Sequence, residues 1–194
     1  MSRIRTSAAE APLRAFGDAL RRVRAGRGRR RRAAYAAAVM TAALTLTIAL
    51  PPAPRLVWNA SSSAPLGLWL VYPGSPVSPG MMVVARLPKP WRGFAAARRY
   101  LPVRVPLVKR VTAGPGDEIC AIGPEVFRNG EPLTRRLDRD GKGRVMPWWE
   151  GCRRLKSGEY FLLMTSNPNS FDGRYFGVTS ASQIIGPARL IWAR

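Results

Sequence analysis

Eighteen consecutive residues, Ala33–Leu50 (AAYAAAVMTAALTLTIAL), carry no charge, and they divide the chain into unlike parts. At about 1.5 Å per residue a helix of this length spans about 27 Å, close to the thickness of a bilayer core. Arg29–Arg32 lies immediately before the run, and Pro51, Pro52 and Pro54 follow it. Proline cannot continue a helix, so the run has a defined end. The expected organisation is a basic cytoplasmic tail over 1–32, a transmembrane anchor over 33–50 and a folded domain over 51–194. By the positive-inside rule the tail stays in the cytoplasm and the domain is translocated. Two rival readings remain open. A cleavable signal peptide has against it a long basic leader and no clean small-x-small site before the prolines. An Ala-rich helix that never enters a bilayer is the plainer alternative. Within the tail, Leu13, Phe16, Leu20 and Val23 recur at helical spacing among arginines. They describe either a basic amphipathic helix on anionic headgroups or a solvated tail.

Beyond the prolines the chain reads as short strands. Leu68–Tyr72, Met81–Leu87, Pro106–Val111, Tyr160–Met164 and Ala188–Trp192 are β-branched or aromatic runs bounded by turn pairs such as Pro79-Gly80, Gly114-Pro115-Gly116 and Gly186-Pro187. Asn129-Gly130 between two apolar pairs predicts a hairpin. Phe94–Tyr100 reads as a brief helix or a loop crossing. No helical pattern alternates with the strands, so a parallel α/β sheet is not expected. The predicted fold class is all-β and antiparallel, behind one N-terminal helix.

Composition narrows the chemistry. The 194 residues include no histidine, which removes Ser-His-Asp and Cys-His catalysis and histidine-ligated zinc. Two cysteines do not make a four-cysteine metal site, and no cofactor motif stands out. Cys120 and Cys152 both fall in the part expected to be translocated, where a disulfide is permitted; two free buried thiols are the alternative. The net charge of +21, from 32 basic and 11 acidic residues, raises nucleic-acid binding. No zinc-finger, basic-zipper or RNA-recognition signature accompanies that charge, and the densest arginine run adjoins the apolar segment. Nucleic acid is therefore not the expected partner.

Three segments carry the functional signal. The first is Asn59-Ala-Ser-Ser-Ser-Ala-Pro-Leu-Gly-Leu-Trp69, the second Val108-Lys-Arg-Val-Thr-Ala-Gly-Pro-Gly-Asp117, and the third the polar stretch Thr165–Gly177. Taken singly they are a linker, a strand with an outward lysine and a turn. Together and in this order they resemble the type I signal peptidases, serine proteases with a Ser/Lys dyad, over roughly residues 56–190. The serine box, Ser-Ala-Pro-Leu-Gly-Leu-Trp, departs from the Ser-Met-x-Pro of the leader peptidases. It is similar instead to the conjugative-transfer, TraF-type branch, which also tends to be short and to carry a cysteine pair.

The resemblance implies Ser63 as nucleophile, with Ser62 the runner-up, and Lys109 as general base. It implies an oxyanion hole from the Ser63 backbone N–H and the Ser61 hydroxyl. Ser170 would orient the lysine, and Asp172 and Arg174 would form a supporting ion pair. It implies an inner-membrane protein with a periplasmic catalytic domain, Trp58 and Trp69 dipping into the lipid interface, and Ala-x-Ala-like side chains in shallow pockets. The implied substrate is an exported precursor, a conjugative pilin subunit, and the implied partners are inner-membrane lipids and other transfer-apparatus proteins. From below, a serine without histidine needs an amine base, and a lysine near its ordinary pKa of about 10.4 must be buried to serve. Of the four lysines, only Lys109 has strand neighbours that could bury it; Lys89 lies beside prolines, and Lys142 and Lys156 lie in or beside turns. A general signal peptidase acting on many secreted proteins and a non-catalytic envelope scaffold are the competing functions.

Overall fold

The computed structural model describes residues 11–49 and 53–194. Helix α1 spans Ala11–Ala49, and the chain divides into two compact units between Pro52 and Ala53. Alanine, the best helix former, dominates the second half of α1. The Thr41 and Thr45 hydroxyls donate back to the carbonyls of Ala37 and Thr41, so these polar groups are satisfied within the helix. The side chains of Phe16 and Leu20 are exposed, while those of Leu13 and Val23 lie outside the described residues, as do residues 1–10 and Leu50.

The expected membrane anchor is corrected here. Among the described residues no helix is long and apolar enough to cross a membrane. The uncharged part of α1 continues without a break from Arg29–Arg32, so any longer stretch taken toward the N-terminus includes arginines. Alanine and threonine also supply little hydrophobicity per residue. The single-pass inner-membrane placement, with the N-terminus in the cytoplasm and the domain in the periplasm, rested on that segment and is withdrawn with it.

The all-β expectation is corrected as well: the chain is a mixed α/β protein with curled antiparallel sheets. After α1 come β1 (Leu56–Asn59), β2 (Gly67–Val71), β3 (Met82–Ala85), α2 (Lys89–Ala97), β4 (Leu107–Ala113) and β5 (Glu118–Ile122). These are followed by β6 (Glu125–Arg128), β7 (Glu131–Arg135), β8 (Gly151–Arg154), β9 (Glu159–Leu163), α3 (Gly173–Phe176), β10 (Thr179–Ser180) and β11 (Ile184–Ala193). Pro90 opens α2, where its missing N–H has no intrahelical partner to lose, so the helix starts well before the expected Phe94.

One sheet has seven strands in the order β1-β2-β11-β3-β4-β9-β10, and the other has four in the order β7-β6-β5-β8. Every strand pair is antiparallel. The long β11 pairs with β2 along one stretch and β3 along another, bending at irregular registers to join the two. The far end of the β2–β11 pairing, where Gly67 lies opposite Ala193, needs glycine. A Cβ on Gly67 would lie 2.0 Å from the Trp192 carbonyl oxygen, and φ there is +140°. β4 runs through the middle of the large sheet with side chains buried on both faces. Three apolar clusters surround it: Val83, Leu87 and Leu162 with α2; Trp69, Val84 and Met164 toward β2; and Ile119, Phe161 and Leu163 toward the small sheet. In the small sheet, Asn129 and Gly130 both take positive φ between β6 and β7, forming the two-residue hairpin turn their sequence suggests. Cys120 and Cys152 lie directly opposite each other on β5 and β8 and are joined by a disulfide.

Candidate active site

The serine segment forms the turn between β1 and β2, and Asn59 at the end of β1 organises it. The Asn59 Oδ1 accepts from the Ser61 N–H at 3.2 Å, an Asx-type turn. Its Nδ2 donates to the carbonyls of Ser61, Ala64 and Pro65 at 2.9, 3.0 and 3.0 Å. One buried amide thus holds both ends of the loop. On the far side, Asn167 Nδ2 donates to the Ser62 carbonyl at 3.0 Å, tying the serine turn to the 164–170 loop. Both asparagines went unassigned in the sequence. An Asn two residues before a serine and an Asn-Pro pair are the signals that point to them.

Lys109 sits in β4 opposite Val83 of β3, with only 2% of its surface exposed. Its Nζ donates to Ser63 Oγ at 2.8 Å and to Ser170 Oγ at 2.8 Å. Burial pushes its pKa down from 10.5 to about 8; the Asp172 carboxylate opposes that shift and the Arg174 guanidinium assists it. An amine in this setting is neutral in a useful fraction of molecules near neutral pH. Ser61 Oγ lies 2.9 Å from Ser63 Oγ and accepts from the Ser63 N–H at 3.3 Å. The nucleophile candidate, its own N–H and the neighbouring hydroxyl therefore form one cluster. Ser62 is exposed, and among the described residues its hydroxyl makes no hydrogen bond to Lys109.

Behind Ser170 lies a buried ion pair. Arg174 Nε and Nη2 donate to the two Asp172 carboxylate oxygens at 2.9 and 2.8 Å, a bidentate contact. The same guanidinium donates to the carbonyls of Asn167 at 2.7 Å and of Met164 and Pro168 at 3.2 Å each. Asp172 Oδ2 also accepts from the Met164 N–H at 3.2 Å. The pair thus fixes the whole 164–170 loop, and with it the hydroxyl that faces the lysine. The structure brings Ser61, Ser63, Lys109 and Ser170 into one site, with Asp172 and Arg174 directly behind it. Trp69, expected at a lipid interface, is instead 3% exposed and donates through Nε1 to the Pro65 carbonyl at 3.2 Å, bracing the serine turn. Trp58 is exposed and packs on Trp192 with ring centroids 5.4 Å apart.

The cluster opens into a cleft of about 810 Å³. Apolar side chains including Val57, Leu87, Leu107 and Leu137 line it, together with Tyr100 and a group of basic residues. Among the described residues no group of His, Cys, Asp or Glu is placed to hold a metal ion.

A family model described as signal peptidase, peptidase S26, matches residues 29–193. A plasmid transfer protein TraF from Escherichia coli is 36% identical over 91 residues, covering 44% of this chain and 51% of its own, so this chain spans about half of that relative. A second Escherichia coli plasmid transfer protein TraF is 31% identical over 136 residues, covering 65% of this chain and 76% of its own. The crystal structure of a signal peptidase I from Enterococcus faecalis aligns with 58% of this chain and 97% of its own, at 18% identity and a TM-score of 0.34.

Proposed function

The chain belongs to the signal peptidase family, peptidase S26, in its TraF conjugative-transfer branch, and on that premise we propose that it is a serine endopeptidase with a Ser63/Lys109 dyad. The observation that carries this reading is the 2.8 Å contact between Lys109 Nζ and Ser63 Oγ on a lysine whose burial brings its pKa to about 8. Neutral Lys109 takes the Ser63 proton as Oγ attacks the scissile carbonyl. The Ser63 N–H and the Ser61 hydroxyl turn from each other toward the oxyanion that forms. The lysine ammonium then gives its proton to the leaving amine, and Ser170 Oγ accepts from that ammonium throughout, holding it in line. A water deprotonated by the same lysine hydrolyses the acyl-enzyme. Arginine in place of Lys109 would stay protonated and could not start the cycle.

The substrate is a precursor protein of the conjugative transfer apparatus, a pilin-like subunit, bound as an extended strand along the cleft. The test is mass-spectrometric mapping of protein N- and C-termini in cells that express the transfer genes with either wild type or Ser63→Ala. One or a few precursors persisting only with the variant supports a dedicated processing peptidase and names its substrate. Widespread retention of leader peptides points to a general signal peptidase. Identical termini in both strains leave a non-catalytic scaffold.

A further inference from the structure

The cleft that holds the dyad has one wall of unusual charge. Arg98 and Arg99 stand at the C-terminal end of α2, and Arg139, Lys142 and Arg144 come from the turn between β7 and β8. Asp140 is the single carboxylate among them, and it is already occupied. Arg144 pairs with it at 2.7 Å, the Tyr100 hydroxyl donates to it, and the N–H groups of Lys142 and Arg144 each donate to its Oδ1 at 2.9 Å. Among the described residues Arg98, Arg99, Arg139 and Lys142 have no acidic partner.

Three of these cations, Arg98, Arg139 and Arg144, are held in place. Arg98 Nη1 donates to the Val145 carbonyl at 2.8 Å, and Arg139 Nη1 to the Gly143 carbonyl at 2.8 Å. Arg144 Nη2 donates to the Arg98 carbonyl at 3.2 Å, clamping the 139–146 turn onto the end of the helix. Arg98 also lies over the Phe94 ring and Arg144 over the Tyr100 ring. Like charges side by side repel, and among the described residues lining the cleft Asp140, already paired with Arg144, is the one carboxylate that offsets them.

We propose that this wall is a specificity subsite of the peptidase, and that the substrate segment entering the cleft beside the scissile bond carries carboxylates. The inference rests on the peptidase reading of the site but concerns what the cleft recognises, not how it cleaves. A peptide is the fitting ligand because the cations are interleaved with apolar side chains such as Leu101, Leu137 and Met146. Acidic side chains or a terminal carboxylate would satisfy the wall equally.

The experiment uses the full chain carrying Ser63→Ala, so that binding is read without cleavage. Fluorescent alanine-rich peptides of about twelve residues carry three glutamates, three glutamines or three lysines at the same positions, each with a free or an amidated C-terminus. The glutamate peptides are expected to bind about tenfold more tightly than the glutamine ones at low salt, with the advantage collapsing as salt rises. Adding Arg99→Gln, Arg139→Gln and Lys142→Gln removes the advantage, weakening the carboxylate-bearing peptides far more than the amidated glutamine peptide. Adding Arg86→Gln, Lys89→Gln and Arg189→Gln, exposed positions outside the cleft, removes the same charge and keeps the advantage. If only the free C-terminus matters, the carboxylate recognised is the terminal one; if amidation changes nothing, it is the side chains. Equal binding of glutamate and glutamine peptides, together with no loss on amidation of the C-terminus, overturns the proposal. So does an advantage that falls equally in both triple variants, which would assign it to overall charge. A short oligothymidylate that displaces the glutamate peptide at lower concentration than unlabelled peptide does would also overturn it. None of these results bears on whether Ser63 and Lys109 form the dyad, which the mapping of termini decides separately.

Discussion

The two sheets of the folded unit solve stability in opposite ways. The seven-stranded sheet buries β4 on both faces, and the four residues of β8 at the edge of the four-stranded sheet are all exposed. The first sheet has apolar area to spare and uses it to surround Lys109, the base of the proposed dyad. The second has little to bury at its edge and holds β8 to β5 with a covalent bond instead. A site that depends on desolvation needs a strand in the middle of a sheet. The staple belongs where burial is poor.

The sharpest way to break this contrast is to strike the ion pair behind the site. Arg174→Ala leaves the Asp172 carboxylate buried and unpaired and frees the carbonyls of the 164–170 loop. The expected loss is about 3–5 kcal/mol of stability, read by urea denaturation, with proteolysis appearing first in that loop. A loss under about 1 kcal/mol would mean that the pair is solvated and that the site's burial is not what holds it together. Removing the staple tests the other sheet. The disulfide closes a loop of 32 residues, and Cys120→Ser with Cys152→Ser is expected to lower stability by about 3–4 kcal/mol. Hydrogen exchange should then rise in β5 and β8, while the pH dependence of peptide cleavage stays where it was. A shift of that profile would show the two sheets to be coupled.

The same contrast explains what the sequence discloses. Five apolar runs coincide with β2, β3, β4, β9 and β11, because strands inside a two-faced sheet are written in β-branched and aromatic residues. β1, β5 and β8 are short, mixed or polar, and their places come from pairing partners far along the chain. The hairpin at Asn129-Gly130 is local chemistry and legible, whereas the 89–97 helix, opened by prolines and amphipathic over two turns, shows in the sequence only as a brief helix or loop crossing over Phe94–Tyr100. For the site, Ser61, Ser63, Lys109, Ser170, Asp172 and Arg174 could all be named from three motifs, but motifs do not give distances. Asn59, Asn167 and the cationic wall were not legible as parts of the site. Their roles depend on which loops meet, and loops meet through the sheet order. The apolar run after Arg32 is the reverse case: a local pattern suggests a membrane span, yet no described helix is long and apolar enough to make one.

The smallest effect sharpens the contrast furthest, because it separates function from stability at one residue. Lys109 has its pKa lowered from 10.5 to about 8 by burial, so between these values the unfolded chain binds more protons than the folded one. Stability contributed by this group therefore rises with pH across that window, is complete above about 10.5, and is lost as pH falls through about 8. The fall from 10.5 to about 8 corresponds to about 3 kcal/mol. Lys109→Met keeps the side-chain length and removes the titration. It is expected to abolish cleavage and to gain on wild type by about 3 kcal/mol on going from pH 10.5 down to pH 7. The lost hydrogen bonds to Ser63 and Ser170 offset part of the gain by a roughly constant amount, leaving its change with pH intact. Cleavage by wild type should meanwhile increase with pH and level off above about 8, as the amine becomes neutral. Equal pH dependence of stability in the two proteins would mean that Lys109 titrates as an ordinary surface amine. The large sheet would then not be what prepares the base, and the division of labour between the two sheets would fail at the residue where it matters most.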